Sequence, residues 1–159
     1  MKGYILTKTD IASMEGTKKV HFMNNKARRT NWSLGDLTGL KGLGFHIIEV
    51  PPGAWSTEKH VHYFEDECLY ILSGQAEATI GDEVFDVSEG DFIGYRAGGL
   101  PHSLYNSGSE VLRCIVVGQR LAHDVADYTD RGQRIFRNEG MDWNLVPHDA
   151  LAKPEAGEK

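Results

Sequence analysis

Residues 67–95 read ECLYILSGQAEATIGDEVFDVSEGDFIGY, and this stretch decides the fold class. It divides into short runs, ECLYIL, AEATI, EVFDV and DFIGY, rich in aliphatic, aromatic and β-branched residues. Between them stand turn signals: Ser73-Gly74, Gly81-Asp82 and Glu89-Gly90-Asp91. No run carries a helical period, and Gly81-Asp82 between ATI and EVF reads as a tight hairpin. Successive side chains on a strand point to opposite faces. Glu67, Leu69 and Ile71 therefore share one side, and Cys68, Tyr70 and Leu72 the other.

The pattern extends in both directions. FHIIEV lies upstream, HSLYN and VLRCIVV downstream, with turns at Pro51-Pro52-Gly53, Gly98-Gly99 and Asn106 to Ser109. Many short strands at regular spacing predict an all-β antiparallel sandwich or barrel over residues 44–120. Residues 1–43 are mixed and turn-rich, with a helical turn expected at Asp10 to Met14. They read as an N-terminal arm with a short strand, packed on the barrel. After residue 120 the strand pattern stops, and 121–159 reads as an irregular, partly helical extension. Within it Ala122 to Tyr128 is expected to be a short helix and Arg131 to Arg137 a basic, turn-rich segment. Leu145 to Leu151 reads as a docking segment anchored by Trp143, and the final KPEAGEK, residues 153–159, as disordered.

A chain of 159 residues is close to the size of one domain. At that length folding removes about 70% of the unfolded chain's surface from water, so neither disulfides nor a structural metal is needed as a staple. The formal charge is −6, from 17 Lys plus Arg against 23 Asp plus Glu, which repels phosphate backbones. The one dense basic run, Lys26, Arg28 and Arg29 beside Lys18 and Lys19, reads as a solvated loop, and no nucleic-acid partner is expected. Cys68 and Cys114 sit inside apolar runs and read as small buried hydrophobes rather than a disulfide or metal knuckle. MKGYILTKTD lacks the apolar core of a signal peptide, and no apolar run reaches membrane-spanning length. No membrane association is expected, and a cytoplasmic location is the default.

Immediately before ECLYIL stands Gly53-AWSTEK-His60-Val-His62-YFED-Glu67. Two histidines at period two aim at a common point, and four residues suffice to reverse the chain before Glu67 opens the next strand. Two imidazoles and a carboxylate are a set that Fe(II), Mn(II), Ni(II) and Zn(II) all accept. Farther on, Gly90-DFIGYRAGGLP-His102-SLY-Asn106 supplies another histidine after a glycine-rich turn.

These two segments resemble the paired motifs of the cupin superfamily. The first motif matches at His60, His62, Glu67 and Gly74, with Gly53 one residue farther from the first histidine than in the commonest form. The second matches at Gly90, Gly99, His102 and Asn106. Here Ala97 replaces the usual proline, and one extra residue follows Gly90. LGDLTGL, EVPPGAW and IVVGQR also look like a group of small bacterial cupins with no assigned activity. The resemblance implies a double-stranded β-helix (a jelly-roll barrel), frequently a homodimer. It also implies one divalent metal ion (Fe, Mn, Ni or Zn) held by His60, His62, Glu67 and His102. Six-coordination would leave two adjacent open positions, the mark of a reactive rather than a structural metal.

The remaining residues have plainer readings. His21, His46, His123 and His148 lack companions at ligand spacing, though His46 is the best placed to point into the barrel. Phe64, Tyr70, Tyr95 and Tyr105 read first as packing, with Tyr95 and Asn106 the better guesses for polar groups in a pocket. Glu65 and Asp66 are expected in a solvent-exposed turn. Catalytic residues are not assigned. The expected partner is a small molecule, which a metalloenzyme of the dioxygenase or Lewis-acid isomerase/lyase kind would turn over. A binding or sensing barrel would only hold it, and a structural protein would carry a vestigial site.

Overall fold

A computed structural model describes residues 3–157 of the chain. The arm opens with helix α1 (Lys8–Ser13), whose start is fixed by a reciprocal cap. The Thr7 hydroxyl accepts from the Asp10 N–H, and the Asp10 carboxylate accepts from the Thr7 N–H. Strands β1 (Thr17–His21) and β2 (Asn24–Trp32) follow as an antiparallel hairpin in which Lys19 stands opposite Arg29. The arm thus contains two strands, and the basic run is not a solvated loop. Along β2, Ala27 and Asn31 are buried and Arg29 is half-buried between them at period two, so this strand shows one face to the barrel.

One turn of helix, α2 (Leu34–Leu37), leads to β3 (Leu43–Val50) and then to the short β4 (Val61–His62). The barrel continues through β5 (Glu67–Ser73), β6 (Gln75–Ile80), β7 (Glu83–Ser88), β8 (Phe92–Tyr95), β9 (His102–Tyr105) and β10 (Leu112–Gln119). It does not stop there. Strands β11 (His123–Tyr128), β12 (Gln133–Asn138) and β13 (Asn144–Pro147) extend it, with single 3-10 turns at Thr129–Arg131 and His148–Ala150. The helix expected at 122–128 is therefore a strand, and the turn-rich 131–137 is mostly strand as well. The segment is hard to read because each face of β11 buries a carboxylate, Asp124 on one and Asp127 on the other, so neither face is purely apolar. Residues 152–157 are exposed and carry no regular structure, whereas Glu158 and Lys159 of the KPEAGEK segment lie outside the described residues.

One sheet runs β1-β2-β3-β10-β5-β8. The other face is built from β7-β6-β9 and β13-β12-β11-β4, and an antiparallel bridge between His60 and His102 joins the two parts. Across that seam each histidine N–H donates to the other's carbonyl, at 3.0 and 2.8 Å. The enclosed core contains Ile48, Val50, Leu69, Ile71, Ala78, Leu104, Leu112 and Cys114. Burying one Leu or Ile side chain contributes about 1.5–3 kcal/mol, so this layer supplies the main stabilisation of the barrel. The hairpin expected at Gly81-Asp82 joins β6 to β7 with Ile80 opposite Glu83, and Gly81 takes φ +63°, a conformation that favours glycine. Among the described residues no helix is long and apolar enough to cross a membrane.

Candidate metal centre

His60 and His62 enter the barrel from the segment that crosses between the sheets, Glu67 from the start of β5, and His102 from the start of β9. The nearest ligand atoms of His60, His62 and Glu67 lie within 4.8 Å of one another. The His102 ring centroid is 4.7 Å from that of His60, but His102 is not part of that tight group. It stacks on Tyr95, centroids 3.6 Å apart and planes 4° from parallel.

Each imidazole is oriented by an acceptor at its Nδ1. For His60 this is the Glu58 carbonyl at 2.8 Å, for His102 the Leu100 carbonyl at 3.3 Å, and for His62 the Asp124 carboxylate at 2.6 Å. A carbonyl only accepts, so Nδ1 of His60 and of His102 carries the proton and Nε2 holds the free lone pair. The same tautomer of His62 satisfies Asp124. Carboxylate or carbonyl support behind a histidine is the arrangement that fixes metal-binding imidazoles. In His102, Nε2 is buried and has no hydrogen-bond partner. An orphaned acceptor beside two more imidazoles and a carboxylate fits a divalent cation, which would satisfy it.

Burial sets the charge states in this space. It pushes the Glu67 carboxyl up, against the downward pull of His62 and Arg29. It holds His60 well below the ordinary histidine value, reinforced by the neighbouring His102 and His62, and takes His102 down to about 4. Neutral imidazoles are the ligand form, so at His60 and His102 a cation meets little competition from protons, whereas at Glu67 it would have to displace one that burial favours.

Behind the histidines lies a layer of charge that the sequence reading missed. Asp124 is buried; burial pushes its carboxyl up, but hydrogen bonds from His62 and Arg137 outweigh this and hold it below its ordinary value. Arg137 also donates to Glu65, whose other oxygen accepts from the Leu121 N–H at 2.8 Å. Glu65 is thus buried rather than exposed, as the turn reading had it, and it ties the 63–66 turn to β12. Asp66 is exposed as expected. Asn106 also departs from expectation. Fully buried, it donates to the Val50 and Glu110 carbonyls at 2.8 and 2.9 Å and accepts from the Gly108 N–H, so it holds a turn and does not line the pocket.

The centre opens into a cavity of about 420 Å³. Ile48, Leu69, Leu104, Val116 and Ile135 supply its apolar wall, and Lys19, Arg29, Asn31, His46, Tyr95 and Tyr128 are among the polar groups that accompany the histidines. Tyr95 and His46 meet the expectation of inward-facing groups. The His46 Nδ1 lies 3.3 Å from the Asn31 amide and 3.2 Å from the Ser33 hydroxyl. Trp143, expected as an anchor, lines the mouth with Arg137 placed 5.4 Å over its ring.

Residues 46–118 match the family model described as "Cupin domain". Over 77 residues the chain is 38% identical to an uncharacterized protein of Methanocaldococcus jannaschii, spanning 47% of this chain and 60% of that protein's length. The fold superimposes on the crystal structure of a "Putative sugar phosphate isomerase" from Acidithiobacillus ferrooxidans with a TM-score of 0.92 and 42% identity, covering 97% of this chain and 98% of that one. A structure described as a sugar phosphate isomerase from a cupin superfamily, from Silicibacter pomeroyi, superimposes with a TM-score of 0.77. At 22% identity over 91% of this chain and 95% of that one, it supports the fold alone.

Proposed function

Because the chain belongs to the cupin family, we propose that it is a small-molecule metalloenzyme whose reaction is the isomerisation of a sugar phosphate. The metal would be held by His60, His62, Glu67 and His102. The observation that carries the reading is the common orientation of the three imidazoles, each with Nδ1 committed to an oxygen and Nε2 left free. The name of the 42% identical Acidithiobacillus protein supports the choice of substrate class.

A divalent ion bound there would supply Lewis acidity able to polarise a carbonyl of the substrate. The chain's own residues do the rest. Asp124 and the Glu58 and Leu100 carbonyls hold the ligand rings in place. The apolar wall of Ile48, Leu104, Val116 and Ile135 excludes water from the reacting end of the substrate. A cavity of about 420 Å³ suits a ligand of this size.

The test is elemental analysis of protein purified without affinity-tag nickel, beside His62→Ala. It is paired with an NMR assay of aldose–ketose phosphate interconversion before and after chelation. Near-stoichiometric metal lost in the variant, with chelator-sensitive interconversion, is the expected result. Absence of metal in both proteins, with none taken up on incubation, overturns the metal reading. Metal binding with ligand bound but unchanged leaves a sensing barrel in its place.

A further inference from the structure

Lys19 and Arg29 are directly opposite in the β1–β2 hairpin, so their side chains leave the same face of the ribbon. Both line the inner cavity and also the outer cleft that adjoins it, as do His46, His62 and Glu67. The other arginines on this wall are already paired: Arg120 with Asp36, and Arg137 with Glu65 and Asp124. Among the described residues, neither Lys19 nor Arg29 has a carboxylate oxygen within 4.0 Å.

Arg29 is also fixed in place. One of its Nη atoms donates to the Ser56 carbonyl, while its Nε is buried and without a partner. Burial pulls its pKa below the ordinary arginine value, and the acid that most offsets this is Glu67. A pinned guanidinium with an unused donor, facing a cavity and lacking a counter-ion, is prepared for an oxyanion, carboxylate or phosphate. Lys19, exposed at the rim, adds a second positive charge, which suits a dianion better than a single carboxylate.

We propose that Arg29, with Lys19 at the rim, is the subsite that holds the phosphate of the substrate while the substrate's other end faces His60, His62 and Glu67. The assignment rests on the metalloenzyme reading above for what lies at the far end, but not for the anion itself. It also gives the basic run of the arm a role in recognition, in a chain whose overall charge is −6.

Calorimetric titration with inorganic phosphate, and with a neutral sugar as control, tests it on zinc-loaded and on chelator-stripped protein. Arg29→Gln is expected to weaken phosphate binding about tenfold, the scale of a lost charge-assisted hydrogen bond, with metal content unchanged. Lys19→Gln is expected to weaken it about threefold, as an exposed charge should. Equal phosphate affinity in Arg29→Gln and wild type overturns the proposal, and so does absence of phosphate binding by wild type. Should Arg29→Gln fail to fold, Arg29→Lys and Lys19→Gln decide: weaker binding in both supports the subsite, and unchanged binding in both overturns it. Phosphate affinity lost in Arg29→Gln, in a protein that takes up no metal, upholds the subsite and removes the metal reading. Stoichiometric metal with phosphate affinity indifferent to Arg29 does the reverse.

Discussion

The Nδ1 of His62 lies 2.6 Å from the carboxylate of Asp124, a residue 62 positions farther along the chain. The contact joins a residue of the short crossing strand β4 to β11, beyond the region where strands were legible in the sequence. Asp124 has no exposed side-chain surface and is also held by Arg137 at 2.9 Å. His62 is therefore oriented by an ionised, immobilised partner.

Asp124→Asn is expected to weaken metal binding about 10- to 100-fold, the usual effect of removing a carboxylate behind a histidine ligand. The amide still fills the site but no longer fixes the imidazole tautomer by charge. Competition against a chelator of known affinity measures the change, and an unaltered affinity would detach Asp124 from the centre.

Asp127 predicts an acid-sensitive component of stability. The Arg134 guanidinium beside it, helped by the Tyr63 hydroxyl and His148, holds its carboxyl down at about 2, against an ordinary value of 3.8. The folded state thus keeps this group ionised where the unfolded chain takes up a proton. Its contribution is fully present above about pH 4 and fades as pH falls toward about 2. Urea midpoints measured down this range should fall less steeply in Asp127→Asn than in wild type. Parallel slopes would show that Asp127 adds nothing to acid sensitivity.

The candidate metal ligands were legible because their spacing is local. His60 and His62 share a face by strand alternation, Glu67 follows one turn later, and His102 follows the glycine-rich connection from β8 to β9. The supporting layer was not. Asp124, Arg137 and Glu65 meet only after β11 and β12 fold back beside β4, and buried carboxylates make β11 look like a polar segment. Arg29 escaped for the converse reason. Its neighbours Arg28 and Lys26 are exposed, and only the alternation of Ala27, Arg29 and Asn31 marks one of these cations as inward.

Deleting residues 153–159 should leave both thermal stability and metal content unchanged. The described part of this tail, up to residue 157, is exposed and outside any strand, while β13 and the half-buried Leu151 precede the cut. Calorimetric melting of the truncated chain checks this, and a fall of several degrees would mean that the tail contributes contacts to the folded state.

Arg137 is the residue whose loss should cost most outside the apolar core. Its guanidinium bridges Glu65 and Asp124, whose side chains are 6% and 0% exposed. Arg137→Met keeps the bulk but takes the cation from two buried carboxylates, leaving Glu65 with the Leu121 N–H and Asp124 with His62 and the Phe64 N–H, and removing one partner of a buried pair costs about 3–5 kcal/mol. One carboxylate can relieve the strain by protonating, and Asp124 can do so only by weakening its hold on His62. The variant should therefore unfold at lower denaturant, and lowering the pH from neutrality should narrow its deficit relative to wild type. Denaturant titrations of both proteins at two pH values test the pairing. A deficit that does not change with pH would assign the loss to the contact of the guanidinium with the Trp143 ring instead.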